Sequence, residues 1–156
     1  MTDARQKILP SACWIGPALL AQVLVCAFAG GRATAEGREM KDLRIVRDRF
    51  RAELLAKPPS ASAVRRWLAG QKPDGSWPDV DYVDRSSARW KPAAHLSRLF
   101  SLARAAEAPV RGVPAAKAKA AAAAALDYWL AHDYRSSNWW WNRIGAPRTL
   151  GRALLV

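Results

Sequence analysis

Two stretches of this chain repeat one another at a spacing of 62 residues. Trp67-Leu68-Ala69 precedes Trp77 by ten positions, and Trp129-Leu130-Ala131 precedes Trp139 by the same ten. In each copy a helical pattern runs into a tryptophan-bearing loop, and a proline, Pro92 or Pro147, then opens the outgoing helix. A basic residue follows, at Arg98 and at Arg152. A helix pair cannot bury its apolar face alone, so a period of this length predicts stacked helical hairpins whose loops share one rim. The expected fold is all-α.

The rest of the chain agrees with helices. Leu43, Val46, Phe50 and Leu54-Leu55 recur at three- and four-residue spacing with Arg44, Arg47, Asp48 and Arg51 between them, and Lys57-Pro58-Pro59-Ser60 ends that pattern. Ser60 or Ser62 can cap a second helix through Val64, Trp67 and Leu68, which stops near Gly70 ahead of a loop from Gln71 to Asp84. Helix resumes after Trp90-Lys91-Pro92, with Leu96, Leu99, Phe100 and Leu102 on its apolar side. Pro109 to Pro114 reads as a linker. Ala115 to Leu130 reads as helix because alanine has the strongest intrinsic helix preference.

The first 35 residues have the pattern of an export signal. Arg5 and Lys7 precede an apolar run from Ala12 to Phe28, and small-residue cleavage sites end at Ala29 and Ala35. The run is short for a membrane span and Gly16-Pro17 interrupts it, so the mature chain, residues 36–156, is expected outside the cytoplasm, secreted or periplasmic, without stable membrane insertion. Both cysteines, Cys13 and Cys26, lie in the signal, which leaves the mature part neither a disulfide nor a thiolate. The whole chain carries a net charge of +12; the signal removes Arg5, Lys7 and Arg32 against Asp3, so +10 remains with the working part. Such a surplus attracts polyanions, whether nucleic acid, anionic membrane or acidic polysaccharide. No nucleic-acid recognition module is present, which with export argues against nucleic acid.

Three consecutive tryptophans, Trp139, Trp140 and Trp141, follow Asn138 and precede Asn142-Arg143-Ile144-Gly145-Ala146-Pro147-Arg148. Successive side chains diverge by about 100° on a helix and alternate faces on a strand, so one core cannot hide all three indoles. An exposed indole cluster fits a flat, partly apolar partner such as a sugar ring, a base or an apolar ligand. Trp67, Trp90 and Trp129 sit on apolar helical faces and are expected in the core, while Trp77 suits core and cleft equally. His95 and His132 lie within helical patterns without a sequence partner and are expected to be structural. Asp79, Asp81 and Asp84 lack the spacing and glycine of a calcium loop and are expected to cap turns. Neither metal nor cofactor is called for.

Taken together, Asp74-Gly75-Ser76-Trp77-Pro78-Asp79-Val80-Asp81-Tyr82, then Trp90, Pro92, His95-Leu96 and Arg98, then Asn138-Trp139-Trp140 with Ile144-Gly145 and Pro147-Arg148, resemble the N-terminal helical domain of polysaccharide lyase family 8, the hyaluronate, chondroitin AC and xanthan lyases. The resemblance covers roughly residues 43–156. It implies an incomplete α/α toroid of stacked helical hairpins around a cleft for an acidic polysaccharide. It further implies that Trp139 and Trp140 form an aromatic patch beside Asn138 that positions the sugar chain; Trp141 and Arg143 join them as substrate-binding candidates on this chain's own residues. Arg143 departs from the family, which often has an acidic residue there, and Trp141 adds a third indole.

The family's reaction is β-elimination at a uronate, and its catalytic asparagine, histidine, tyrosine and arginine follow the tryptophan patch further along the chain than this sequence reaches. No catalytic residue is therefore carried over. The apolar, uncapped Arg152-Ala153-Leu154-Leu155-Val156 reads as a truncation in mid-helix, and the chain is expected to be inactive alone. Two other readings stand beside this one. The first is a noncatalytic carbohydrate-binding or structural remnant. The second rests on Trp67-Leu68-Ala69-Gly70-Gln71 with Asp74-Gly75-Ser76-Trp77, which resembles the repeat of triterpene cyclases acting on isoprenoids.

Overall fold

The computed structural model describes residues 39–156; the proposed signal peptide and its cleavage sites lie outside the described residues. Helix α1 spans residues 39–55, α2 Ala61–Gly70, α3 Ala93–Glu107, α4 Ala115–Leu130 and α5 Ala146–Leu155, with a π-helical turn over Trp141–Gly145 leading directly into α5. No strand occurs among the described residues; the nearest approach is an isolated bridge between Val110 and Val113. Residues 45–156 make one unit.

The caps and stops follow local chemistry. The Ser60 hydroxyl accepts a hydrogen bond from the Ala63 amide and so satisfies one of the unpaired donors at the start of α2. Pro92 precedes the first residue of α3, where its missing N–H costs nothing. Pro114 plays the same part before α4. The reading of Pro147 as the opening of the last helix needs correction, because helical backbone already begins at Trp139 and passes through the π turn. Proline has no amide to donate, and it is accommodated where the wider turn has already interrupted the regular ladder.

Helix α3 is central and packs against α4, α5 and α2. It buries His95, Leu96, Leu99, Leu102 and Ala105, and α4 answers with Ala118, Ala121, Ala122, Ala125 and Trp129. The alanine face lets the two axes approach closely, which the repeat needs for stacking. At the surface the Arg51 guanidinium pairs with Glu107 and donates to the Val156 carbonyl, tying α1 to the end of α3 and the end of α5. No described helix is long and apolar enough to cross a membrane.

The loop after α2 is fastened to α4 by Gly75. Its φ of +89° is a left-handed conformation that favours glycine, and a Cβ there would overlap the Ala124 carbonyl. Gln71 secures the same junction by donating from its side-chain amide to the carbonyls of Gly75 (3.1 Å) and Ala121 (2.9 Å). Asp74 closes an Asx turn, its carboxylate accepting from the Ser76 amide and hydroxyl at 2.9 and 2.7 Å, and these hydrogen bonds hold its carboxyl below the usual carboxylate range.

Candidate functional site

Loop residues 84–91 form the support on which the tryptophan triplet hangs. The Asp84 carboxylate accepts from the amides of Ser86 (3.0 Å) and Lys91 (2.7 Å), which keeps its carboxyl below the ordinary range, and its carbonyl accepts from the Trp90 indole N–H at 2.9 Å. Backbone carbonyls are thereby presented to the chain leaving α4. The Ser137 amide donates to Arg85 at 2.8 Å, the buried Ser136 hydroxyl donates to Ser86 at 2.8 Å, and the Asn138 side-chain amide reaches Ser87 at 3.4 Å.

A second set of bonds sets the entry of the last helix. Asn142 pairs reciprocally with Ser136, accepting from its amide at 2.9 Å and donating to its carbonyl at 2.8 Å. Asn138 is the N-cap: its side-chain oxygen accepts from the Trp140 amide at 2.9 Å. The asparagine expected beside the sugar is thus also the residue that fixes where the indoles begin.

The three indoles then separate by environment. Trp141 is half-buried against the core, its ring 5.8 Å from that of Trp90. Trp140 is half-buried and stands edge-on to Trp141, with centroids 5.0 Å apart and an interplanar angle of 82°. Trp139 is 64% exposed. Arg148 lies over the Trp140 ring at 5.9 Å, and Arg143 is exposed on the π turn. Among the described residues neither arginine is paired with a carboxylate. The open Trp139 indole, followed by Trp140 under the Arg148 guanidinium, can stack on the C–H face of a pyranose while the guanidinium attracts an anionic substituent.

The first repeat places its equivalent tryptophan differently. Trp77 is 1% exposed, its indole N–H donates to the Trp67 carbonyl at 2.9 Å, and Arg98 lies 5.3 Å from its ring centroid. Arg98 also forms a two-pronged pair with Asp79 at 2.7 and 2.6 Å, which lowers the Asp79 carboxyl from its usual range. Trp77 therefore belongs to the core. Trp90 and Trp129 are buried as expected, and Trp67 is half-buried against the same cluster.

His95 is fully buried with both ring nitrogens engaged. Its Nε2 lies 2.8 Å from the Ala125 carbonyl and must donate to it, so Nδ1 accepts from the Tyr82 hydroxyl at 2.9 Å, and that hydroxyl in turn accepts from the Trp77 amide at 3.1 Å. Burial pushes the imidazole down to about 4 and the Tyr82 phenol up to about 12, so neither changes charge near neutrality. His132 is exposed, stacks on Tyr134 and is 2.7 Å from the Tyr128 carbonyl through Nδ1. Both histidines have structural partners, and the aspartates make turn or ion-pair bonds: Asp81 accepts from the Val83 amide at 3.2 Å. Among the described residues no cluster of three or more His, Cys, Asp or Glu could hold a metal ion.

Residues 59–156 match the model of the polysaccharide lyase family 8 N-terminal alpha-helical domain. The chain belongs to this family. Chondroitinase-AC of Pedobacter heparinus is 36% identical over 86 residues, which are 54% of this chain and 12% of that enzyme. A solved structure of chondroitinase AC lyase, determined with oligosaccharide complexes, superposes with a TM-score of 0.64 at 30% identity, covering 72% of this chain and 17% of the other. The fold is accordingly the helical-hairpin, α/α toroid type of a family 8 lyase, and the chain spans a small part of the length of these relatives.

Within this family 8 domain, sequence reasoning missed the supports rather than the indoles. Asp84, expected as a turn cap, and Ser86, Ser136 and Asn142, which sequence reasoning missed, carry the patch through hydrogen bonds. Arg148 is visible in the sequence as part of a motif, and its position over Trp140 depends on the turn of the helix.

Proposed function

We propose that residues 36–156 are the substrate-gripping part of a secreted or periplasmic polysaccharide lyase, with Asn138, Trp139, Trp140, Trp141 and Arg143 forming one wall of a cleft for an acidic polysaccharide of the glycosaminoglycan or xanthan type. The observation that carries this reading is Trp139, 64% exposed on a capped helix start, followed by half-buried Trp140 under Arg148, with Arg143 exposed on the same turn. Leaving a large indole in water forfeits burial that the neighbouring tryptophans obtain, and a stacked sugar face restores it. The basic surplus draws the polymer's carboxylates or sulfates to the same surface.

The grip serves β-elimination. A uronate carboxylate is neutralised, the C5 proton is removed, and the bond to the oxygen at C4 breaks to leave an unsaturated sugar. The residues of the patch orient the chain for this chemistry and move no proton themselves, and His95, buried and doubly bonded, has no access to substrate.

Intrinsic tryptophan fluorescence during titration with chondroitin sulfate, hyaluronan and xanthan tests the reading, with neutral dextran as the control. At least one polyanion should shift the emission, the Trp139→Ala variant should respond far less, and added salt should weaken the response. A folded sample that responds to none of the three polyanions rejects the proposal.

A further inference from the structure

Gly145 ends the π-helical turn at φ −62° and ψ −53°, an ordinary right-handed helical conformation open to any residue. Its backbone therefore does not require glycine. Helix preference argues against it, since glycine is among the poorest residues inside a helix. What the position lacks is space. A Cβ would stand 2.6 Å from Cζ3 of Trp140, 2.6 Å from Cε3 of Trp141 and 3.1 Å from Cε3 of Trp140, where ordinary contact begins near 3.4 Å. Two indoles occupy the volume that a side chain would fill.

We propose that Gly145 is a positioning residue of the sugar-binding patch: its bare backbone is the floor on which Trp140 and Trp141 rest, and this floor fixes the angle of the Trp140 ring presented to polysaccharide. The π turn contributes by bringing the backbone of residue 145 beneath the side chains of residues 140 and 141. Trp141 is then clamped between this floor and Trp90, and Trp140 between the floor, the edge of Trp141 and Arg148. Neither ring can tilt without leaving one of these contacts. The inference deepens the proposed polysaccharide-binding reading and rests on it for its functional part, while the packing part stands by itself.

Gly151 supplies an internal control. It lies on the same final helix, and a Cβ there would meet nothing within 4 Å. In the full 156-residue chain, Gly151→Ala should raise the melting temperature by a few degrees and leave both chondroitin sulfate affinity and the far-ultraviolet exciton couplet of the paired indoles unchanged. Gly145→Ala gains the same helix preference, yet it should collapse the couplet and weaken chondroitin sulfate binding by about tenfold, the loss expected when a stacking surface is misaimed. In a Trp140→Ala/Trp141→Ala background the Gly145→Ala change should cost no further affinity, because both rings it displaces are gone. Circular dichroism and affinity together separate the possible failures. An unchanged couplet in Gly145→Ala overturns the positioning role whatever binds. A collapsed couplet with full affinity overturns its functional part. Absence of binding in the wild-type chain overturns the polysaccharide reading while the couplet still decides the packing. Should Gly145→Ala fail to fold, the same change in the Trp140→Ala/Trp141→Ala background decides: folding as well as that background with Gly145 supports the clash, and unfolding only when Gly145 is replaced, with both rings absent, overturns it.

Discussion

Trp77 and Trp139 occupy the same place in two copies of one pattern, each ten residues after a Trp-Leu-Ala helix end, yet the first is 1% exposed and the second 64%. The partner tryptophans, Trp67 and Trp129, are respectively half-buried and buried, so the first copy hides its second indole more deeply than its first and the second copy does the reverse. The difference arises in the turns. In the first copy Gly75 brings the chain against α4 and the loop folds inward, where the Trp67 carbonyl receives the Trp77 N–H. In the second, Asn138 caps a helix that starts at once, and a helix start projects successive indoles in different directions. One repeat has become core and the other has become surface.

The contrast can be broken most severely at Gly75. Gly75→Ala imposes a side chain on a φ of +89° and drives it into the Ala124 carbonyl, so a loss of about 4 kcal/mol or more is expected in urea denaturation. A loss below about 1 kcal/mol would show that the inward fold of the first loop does not depend on this contact. Trp77→Ala should cost about 3–5 kcal/mol through cavity formation and the loss of a buried indole.

Acid sharpens the comparison from the inside. His95 sits 5.0 Å from Trp77 with its folded value pushed down to about 4 against an ordinary 6.5, so the unfolded chain binds more protons between those limits. The stabilisation is complete above pH 6.5 and is lost as pH falls toward 4, by about 3 kcal/mol at most. Denaturation midpoints across this window should fall with acid in the wild type and lose most of that slope in His95→Gln. An equal slope in both would place the titration elsewhere.

The smallest stability effect belongs to the outward indole. Trp139→Ala should change unfolding free energy by less than about 0.5 kcal/mol, as exposed substitutions do, while removing most of the fluorescence response to polyanions. If it destabilises as strongly as Trp77→Ala, the two repeats do not differ in the way their burial indicates.

Much of this architecture was legible in the residues, and the reasons differ by element. Helix α4 carries its own intrinsic preference, and its span of Ala115–Leu130 coincides with the reading from alanine content. The end of α2 at Gly70 and its cap at Ser60 follow from short-range chemistry, which sequence displays directly. The family motifs were legible as well, and residues 59–156 match accordingly. The fate of Trp77 was not, because it depends on how far Gly75 lets the loop approach a helix fifty residues away in sequence. The π turn left no periodicity of its own, being a single widened turn, and Gly145 in a helix was its one trace. The triplet could be read as too bulky to bury together, but the separation of its members required Trp90 and Gly145 to be placed.

The bonds from Ser136, Ser137 and Asn138 to the carbonyls of residues 85–87 mean that the surface repeat is suspended from the buried one. Whatever shifts the first loop is passed to the second, so the two copies, different as they are in burial, stay mechanically coupled. A substitution in either hairpin is felt in both.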